Sequence, residues 1–156
     1  RGWVTDGVIS QSERQLARLW RYREGISESI SHFPPYKNDL SVRVSAVPEF
    51  LRRMGSLMAE ICPDFEVVWY GHIGDGNLHI AVPVQAEDYL RLRPTIEQQV
   101  YAPLAAFQGS VSAEHGIGLE KKPYLHISRS EPELALMRSL KTALDPQGIL
   151  NPGKIF

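Results

Sequence analysis

Phe65-Glu66-Val67-Val68-Trp69-Tyr70-Gly71-His72-Ile73-Gly74-Asp75-Gly76-Asn77-Leu78-His79-Ile80-Ala81-Val82-Pro83-Val84 holds two runs rich in β-branched and aromatic residues, Phe65 to Tyr70 and Leu78 to Val84, on either side of a glycine-rich turn. Such runs bounding an Asp-Gly pair spell a β-hairpin. Asp75-Gly76 predicts a two-residue type I′ connection, which sets 74 opposite 77, 73 opposite 78 and 72 opposite 79. Directly opposed residues share a face, with Cβ atoms about 5 Å apart. His72 and His79 are then near enough for two neutral imidazoles to hold one metal ion at about 2 Å each. Gly74 leaves that face open, and Asn77 adds an amide to it. The competing reading is a satisfied pair of half-buried histidines with no ligand.

On the N-terminal side of the hairpin, Leu40 to Val47 alternates as a strand, and a loop over 31 to 39 with Pro34-Pro35 and Asn38-Asp39 precedes it. A helix follows from Pro48. Phe50, Leu51, Met54, Leu57, Met58 and Ile61 recur at helical spacing until Pro63 stops the pattern. On the C-terminal side, Ile96, Val100, Leu104 and Phe107 give a long helix its apolar face, with Pro94 in a first turn, Pro103 as a kink and Gly109 as its end. Ser110 to Ala113 reads as a short strand entering Glu114-His115-Gly116-Ile117-Gly118. Two more helices flank this series. Ser12 with Gln15 caps one in which Leu16, Leu19, Trp20 and Arg23 share a face, and Ser130 with Glu133 caps another carrying Leu136, Leu140 and Leu144 until Asp145-Pro146-Gln147-Gly148 breaks it. The order helix, β-α-β-β-α-β, helix predicts an α+β class: a ferredoxin-like sandwich with flanking N- and C-terminal helices.

The 156 residues are 43% hydrophobic, enough for one domain with a core. Seventeen basic against eighteen acidic residues, a net charge of −1, argue against nucleic acid as a partner, and no run of like charges suggests an anionic membrane surface. Small substrates or protein partners fit better. Cys62 is the single cysteine, so an intramolecular disulfide is excluded and a reducing compartment is favoured. It falls in an apolar helical stretch as inert core. No apolar stretch approaches the roughly 18 residues of a membrane span, and the N-terminus lacks the layout of a signal peptide. A cytoplasmic location, at most peripheral to a membrane, is the expectation. The chain begins at Arg1 and runs at once into Trp3-Val4-Thr5-Asp6-Gly7, which suggests a piece of a longer polypeptide. It contains no internal repeat, no G-x-G-x-x-G opening a helix and no G-x-x-x-x-G-K, hence no nucleotide fingerprint of its own.

Glu114 beside His115 completes a two-histidine, one-carboxylate set if the strand from 110 returns alongside the hairpin. Three protein ligands with an open position is the catalytic arrangement for zinc, and manganese or iron would accept the same donors. Neighbours in a regular strand point to opposite faces, so Glu114 and His115 reach one place only if the chain bends there. The simpler division gives Glu114 to the metal and leaves His115 near the substrate, where a neutral imidazole can act as a general base. Arg23 ends an apolar stripe, and a guanidinium held there without a partner is costly. An internal carboxylate or an anionic substrate would answer it, with the Ser27 hydroxyl one turn later. Lys37 is a second candidate cation. His32 and His126 are assigned no role.

Leu19-Trp20-Arg21-Tyr22-Arg23-Glu24, Tyr36-Lys37-Asn38-Asp39-Leu40-Ser41, the hairpin, Gly109 to Gly118 and Leu144 to Lys154 together resemble the C-terminal, substrate-binding domain of FAD-linked oxidases of the vanillyl-alcohol-oxidase type. Within that family they look like the D-2-hydroxyacid dehydrogenases, a branch that includes D-lactate and D-2-hydroxyglutarate dehydrogenases and the flavin subunit of glycolate oxidase. The resemblance implies His72, His79 and Glu114 as ligands of a divalent metal, Zn or Mn, and His115 as the base. It implies Arg23, Ser27 and Lys37 as holders of the substrate carboxylates, with Asn77 beside them. The implied reaction takes a small 2-hydroxy acid to a 2-oxo acid, with FAD held by an N-terminal domain absent from this chain. A quinone or a flavoprotein then accepts the electrons. The family motif usually continues His-x-Asn, whereas Ala81 stands here, so an amide contact is missing. Two other classes fit the residues: a metal-dependent hydrolase, since such a site also activates water, and a non-catalytic binding module.

Overall fold

The computed structural model describes residues 2, 4–31, 35–83 and 86–156. Trp3, His32 and Val84 lie outside the described residues. Contacts divide the chain into two units, 1–33 and 34–156.

In the first unit, helix α1 (Glu13–Glu24) starts where the sequence predicts. The Ser12 hydroxyl accepts from the Gln15 amide at 3.3 Å, and the Gln15 side chain accepts from the Gln11 amide at 2.7 Å. A one-turn helix, α2 (Ile26–Ser29), follows. No residue of α1 is buried, so the Leu16, Leu19 and Trp20 stripe is a helical face that stays exposed.

The second unit is built on three antiparallel strands, β1 (Pro35–Ser41), β2 (Val68–His72) and β3 (Asn77–Pro83), in the order β1-β3-β2. Helix α3 (Val47–Ile61) joins β1 to β2 and buries Phe50, Met54 and Met58 at the predicted helical period. Helix α4 (Ala86–Tyr101) follows β3 and buries Ile96 and Val100. With Leu40, Leu78, Ile80 and Val82 from the sheet these side chains form one core, in which Phe50 meets Phe107 edge-on at 5.3 Å. Pro94 sits inside α4 rather than in its first turn, and Pro103 falls in a 3-10 turn over Ala102–Ala105 that ends the helix. Cys62 is buried in this core, and burial pushes its thiol up.

Three expectations about strands need correction. The strand predicted over Leu40 to Val47 lies instead at Pro35–Ser41, so the predicted loop supplies most of it, while Val44–Ala46 forms a 3-10 turn and Val47 opens α3. Asn38 and Asp39 are turn formers, but pairing with Ile80 and His79 overrides that preference. The hairpin closes with a four-residue loop, Ile73 to Gly76, so His72 pairs with Asn77 and Tyr70 with His79. Asp75-Gly76 is otherwise engaged: the Asp75 carboxylate accepts from the Asn77 amide at 2.9 Å, and the Gly76 carbonyl accepts from the Val42 amide at 3.1 Å. Gly76 has φ +73°, and a Cβ there would lie 1.9 Å from the Val42 carbonyl oxygen. The predicted strand from Ser110 reduces to one antiparallel bridge with Ser41. The Val111 amide instead donates to the Ser128 hydroxyl at 2.8 Å, which takes the chain out of the ladder.

After a short helix, α5 (Leu125–Ser128), helix α6 (Glu131–Leu144) carries the predicted capping box between Ser130 and Glu133. Its buried residue is Leu134, while Leu136, Leu140 and Leu144 stay exposed. Asp145 terminates it by accepting from the Ile149 and Leu150 amides at 3.0 Å each. Among the described residues no helix is long and apolar enough to cross a membrane.

Candidate functional site

Alternation along the strands sorts the sheet into two faces. Residues 36, 38 and 40 point with 78, 80 and 82 toward the core, so 37, 39 and 41 share the other face with 77, 79 and 81 and with 68, 70 and 72. One row on that face reads Asp39, His79, Tyr70 across the three strands, and the next reads Ser41, Asn77, His72. The two-residue difference in register keeps both histidines on one face, because side chains alternate with period two. It makes them diagonal neighbours rather than opposed ones. Their rings stand 6.1 Å apart at 88°, and Tyr70 lies against His79 at 5.0 Å.

Glu114 and His115 arrive from the bend after Ser110. The Glu114 carboxylate accepts from the Asn77 side-chain amide and lies 3.1 Å from His72 Nδ1. The His115 ring stacks 5.8 Å from that of His79. His72, His79, Glu114, His115 and Asn77 are thus brought together, and the bend that the sequence required for this is present.

A residue that sequence reasoning missed holds the bend. Asp39 is fully buried, and its Oδ2 accepts from three consecutive amides, Ala113 at 2.8 Å, Glu114 at 2.6 Å and His115 at 3.1 Å. Its Oδ1 accepts from Lys121 Nζ and lies 3.2 Å from His115 Nδ1. Lys121 also donates to the Asp39 carbonyl oxygen at 2.8 Å. Burial by itself would raise the Asp39 carboxyl. The Lys121 ammonium and the Glu114 and His115 amides outweigh it and hold the group well below the usual carboxylate range. Nothing local in Asn38-Asp39 signals this, because the partners lie more than 70 positions along the chain.

Burial is also the largest effect on His79, lowering its pKa against the opposing pull of Glu114. The neutral imidazole so favoured is the form that ligates a metal or accepts a proton. Asn77 is buried, and its Oδ1 has no partner among the described residues while Nδ2 is taken by Glu114. A buried acceptor left unmet costs about 1–3 kcal/mol. A cation or a donor on a ligand would meet it, and His72, His79 and Glu114 are the neighbouring side chains of a type that could hold a divalent metal. Among the described residues no three His, Cys, Asp or Glu side chains stand ready-made at ligand geometry.

Lys37 is exposed on the same sheet face, opposite the fully buried Ala81, and lines a pocket of about 240 Å³ together with His115. Arg23 and Ser27 belong to the first unit. The partner expected for Arg23 is local: its guanidinium pairs with Glu24 and lies 5.3 Å from the Trp20 ring centre. The side chain is half exposed rather than embedded in an apolar face.

Comparison with known proteins gives this geometry a context. D-2-hydroxyglutarate dehydrogenases of Stutzerimonas stutzeri and of Xanthomonas citri pv. viticola are 49% and 53% identical over the whole of this chain, which covers 34% of each. The mitochondrial D-2-hydroxyglutarate dehydrogenase of Bos taurus is 44% identical over 99% of this chain and 28% of its own length. The chain therefore spans about a third of the curated relatives it matches. Residues 1–155 match the family described as FAD linked oxidases, C-terminal domain, and the chain belongs to that family.

Proposed function

We propose that this chain is the substrate- and metal-holding part of an FAD-dependent dehydrogenase that oxidises a D-2-hydroxy acid to a 2-oxo acid. The observation that carries the reading is the convergence of His72, His79, Glu114 and His115 on the sheet face turned away from the core, in a chain of this family. The strand order, with α3 between β1 and β2 and Ser110 bridging to β1, supports a ferredoxin-like sandwich whose fourth strand is reduced to a single bridge.

His72, His79 and Glu114 would hold a zinc or manganese ion, with Asn77 Oδ1 as a further oxygen, and such an ion polarises the substrate hydroxyl. FAD, when bound, would supply the acceptor for the hydride of the substrate Cα. The remaining work falls to side chains of this chain. Lys37 pairs with a substrate carboxylate from the same face of the sheet. His115 takes the hydroxyl proton as the carbonyl forms, so proton and hydride leave together with no charge left on the product carbonyl. A quinone or a second flavoprotein takes the electrons onward.

The test replaces the matching segment of the Stutzerimonas stutzeri relative with residues 1–155 and follows flavin absorbance under anaerobic conditions. D-2-hydroxyglutarate or D-lactate bleaches the flavin, the L enantiomers do not, and His115→Asn slows bleaching by about 10²- to 10⁴-fold. A folded, flavin-loaded chimera that no D-2-hydroxy acid bleaches contradicts the reading. Ester hydrolysis by the chain with zinc and no flavin would place it among metal-dependent hydrolases instead.

A further inference from the structure

Glu114 and His115 are adjacent in sequence yet serve one place, and the group that makes this so comes from β1. We infer that Asp39 is the positioning residue of the site: it gathers the backbone of 113–115 and fixes His115 with its proton on Nδ1 and its Nε2 lone pair outward. This role rests on the reading of His115 as the base.

Successive amides converging on one anion form a nest, an arrangement that bent backbone adopts around a negative charge. Here the anion is a strand residue, and its strand pairs Asp39 directly with His79. The bend is therefore registered to the same row of the sheet that carries one of the histidines. The second carboxylate oxygen lies 3.2 Å from His115 Nδ1. A carboxylate charge 3.2 Å from Nδ1 favours the proton on that nitrogen, and Nε2 is left as the acceptor. Lys121 completes the device. Its ammonium is buried and shares Oδ1, which keeps the carboxylate charged and leaves Oδ2 to the three amides and the Ser112 hydroxyl. An asparagine at 39 cannot serve both sides, because its NH2 group would face either the backbone amides or the His115 ring proton.

The experiment labels the histidines of the full chain with 15N and reads the two-bond proton–nitrogen correlations of each ring. It is held at about pH 9, where an unperturbed imidazole is neutral. His115 is assigned by the pattern missing from His115→Gln. In the unaltered chain His115 shows the pattern of a ring protonated on Nδ1, and in Asp39→Asn it moves to the Nε2-protonated pattern. An unaltered chain with His115 protonated on Nε2 overturns the inference, as does a folded Asp39→Asn chain that keeps the Nδ1 pattern. Should Asp39→Asn not fold, the unaltered chain still decides. The spectrum needs neither flavin nor substrate, so an inactive chimera with an Nδ1-protonated His115 supports this positioning and defeats only the dehydrogenase reading.

Discussion

Asp39 and Lys121 are both taken out of water, and each is tolerable there because of the other. Breaking a buried pair from one side leaves a bare charge, so Asp39→Ala should cost about 3–5 kcal/mol in urea unfolding. Lys121→Met should cost less, because the Asp39 carboxylate keeps its three amides. The folded pKa of Asp39 is depressed, so the stability it contributes is full above about pH 4, where the unfolded carboxyl is ionised, and is lost as pH falls toward the folded value. The His79 pKa is also depressed, by burial first. The unfolded chain then binds the extra proton, and stability declines as pH drops through about 6.5. Unfolding free energies between about pH 8 and 5.5 should therefore slope less steeply in His79→Asn than in the parent. Of these residues only His79 was legible as functional from sequence. Asp39 was hidden because its meaning depends on Lys121 and on a loop remote from it, whereas His79 is marked by glycine-flanked neighbours and a second histidine close by.

Where helix and strand signals are local, the sequence reads true: the period of Phe50, Met54 and Met58 predicts the buried face of α3, and Ser130 with Glu133 predicts the start of α6. The hairpin is legible for the same reason, but its register is not. Asp75-Gly76 favours a two-residue turn on its own. In the fold, Gly76 is drawn onto the backbone leaving β1, and the loop lengthens to four residues. The missing strand after Ser110 has a similar origin, since the Ser128 hydroxyl claims the Val111 amide that a ladder would need. A pair of substitutions checks the turn. Gly76→Ala meets the Val42 carbonyl oxygen at 1.9 Å with φ +73° and should cost at least about 2 kcal/mol. Gly74→Ala, with nothing within 4 Å of the added carbon, should stay within about 0.5 kcal/mol of the parent. Equal losses in urea unfolding would show that the turn does not dock as described.

Among the described residues the core of the second unit runs from Tyr36 to Val111. The α+β class could be read from the order of the elements, and the convergence of His72, His79, Glu114 and His115 from the hairpin and the Glu-His pair, since two-residue alternation keeps both hairpin histidines on one face whatever the exact register. What could not be read was the order of contacts among them, which depends on how β1, the hairpin and the 110–115 bend meet. The claim that matters most is that His72, His79 and Glu114 act together on one ligand. Equilibrium dialysis of the chain against zinc or manganese, beside His79→Ala, tests it most directly. About one ion per chain, lost in the variant, is the expected result. No ion bound by the parent, or an ion retained by His79→Ala, would contradict it.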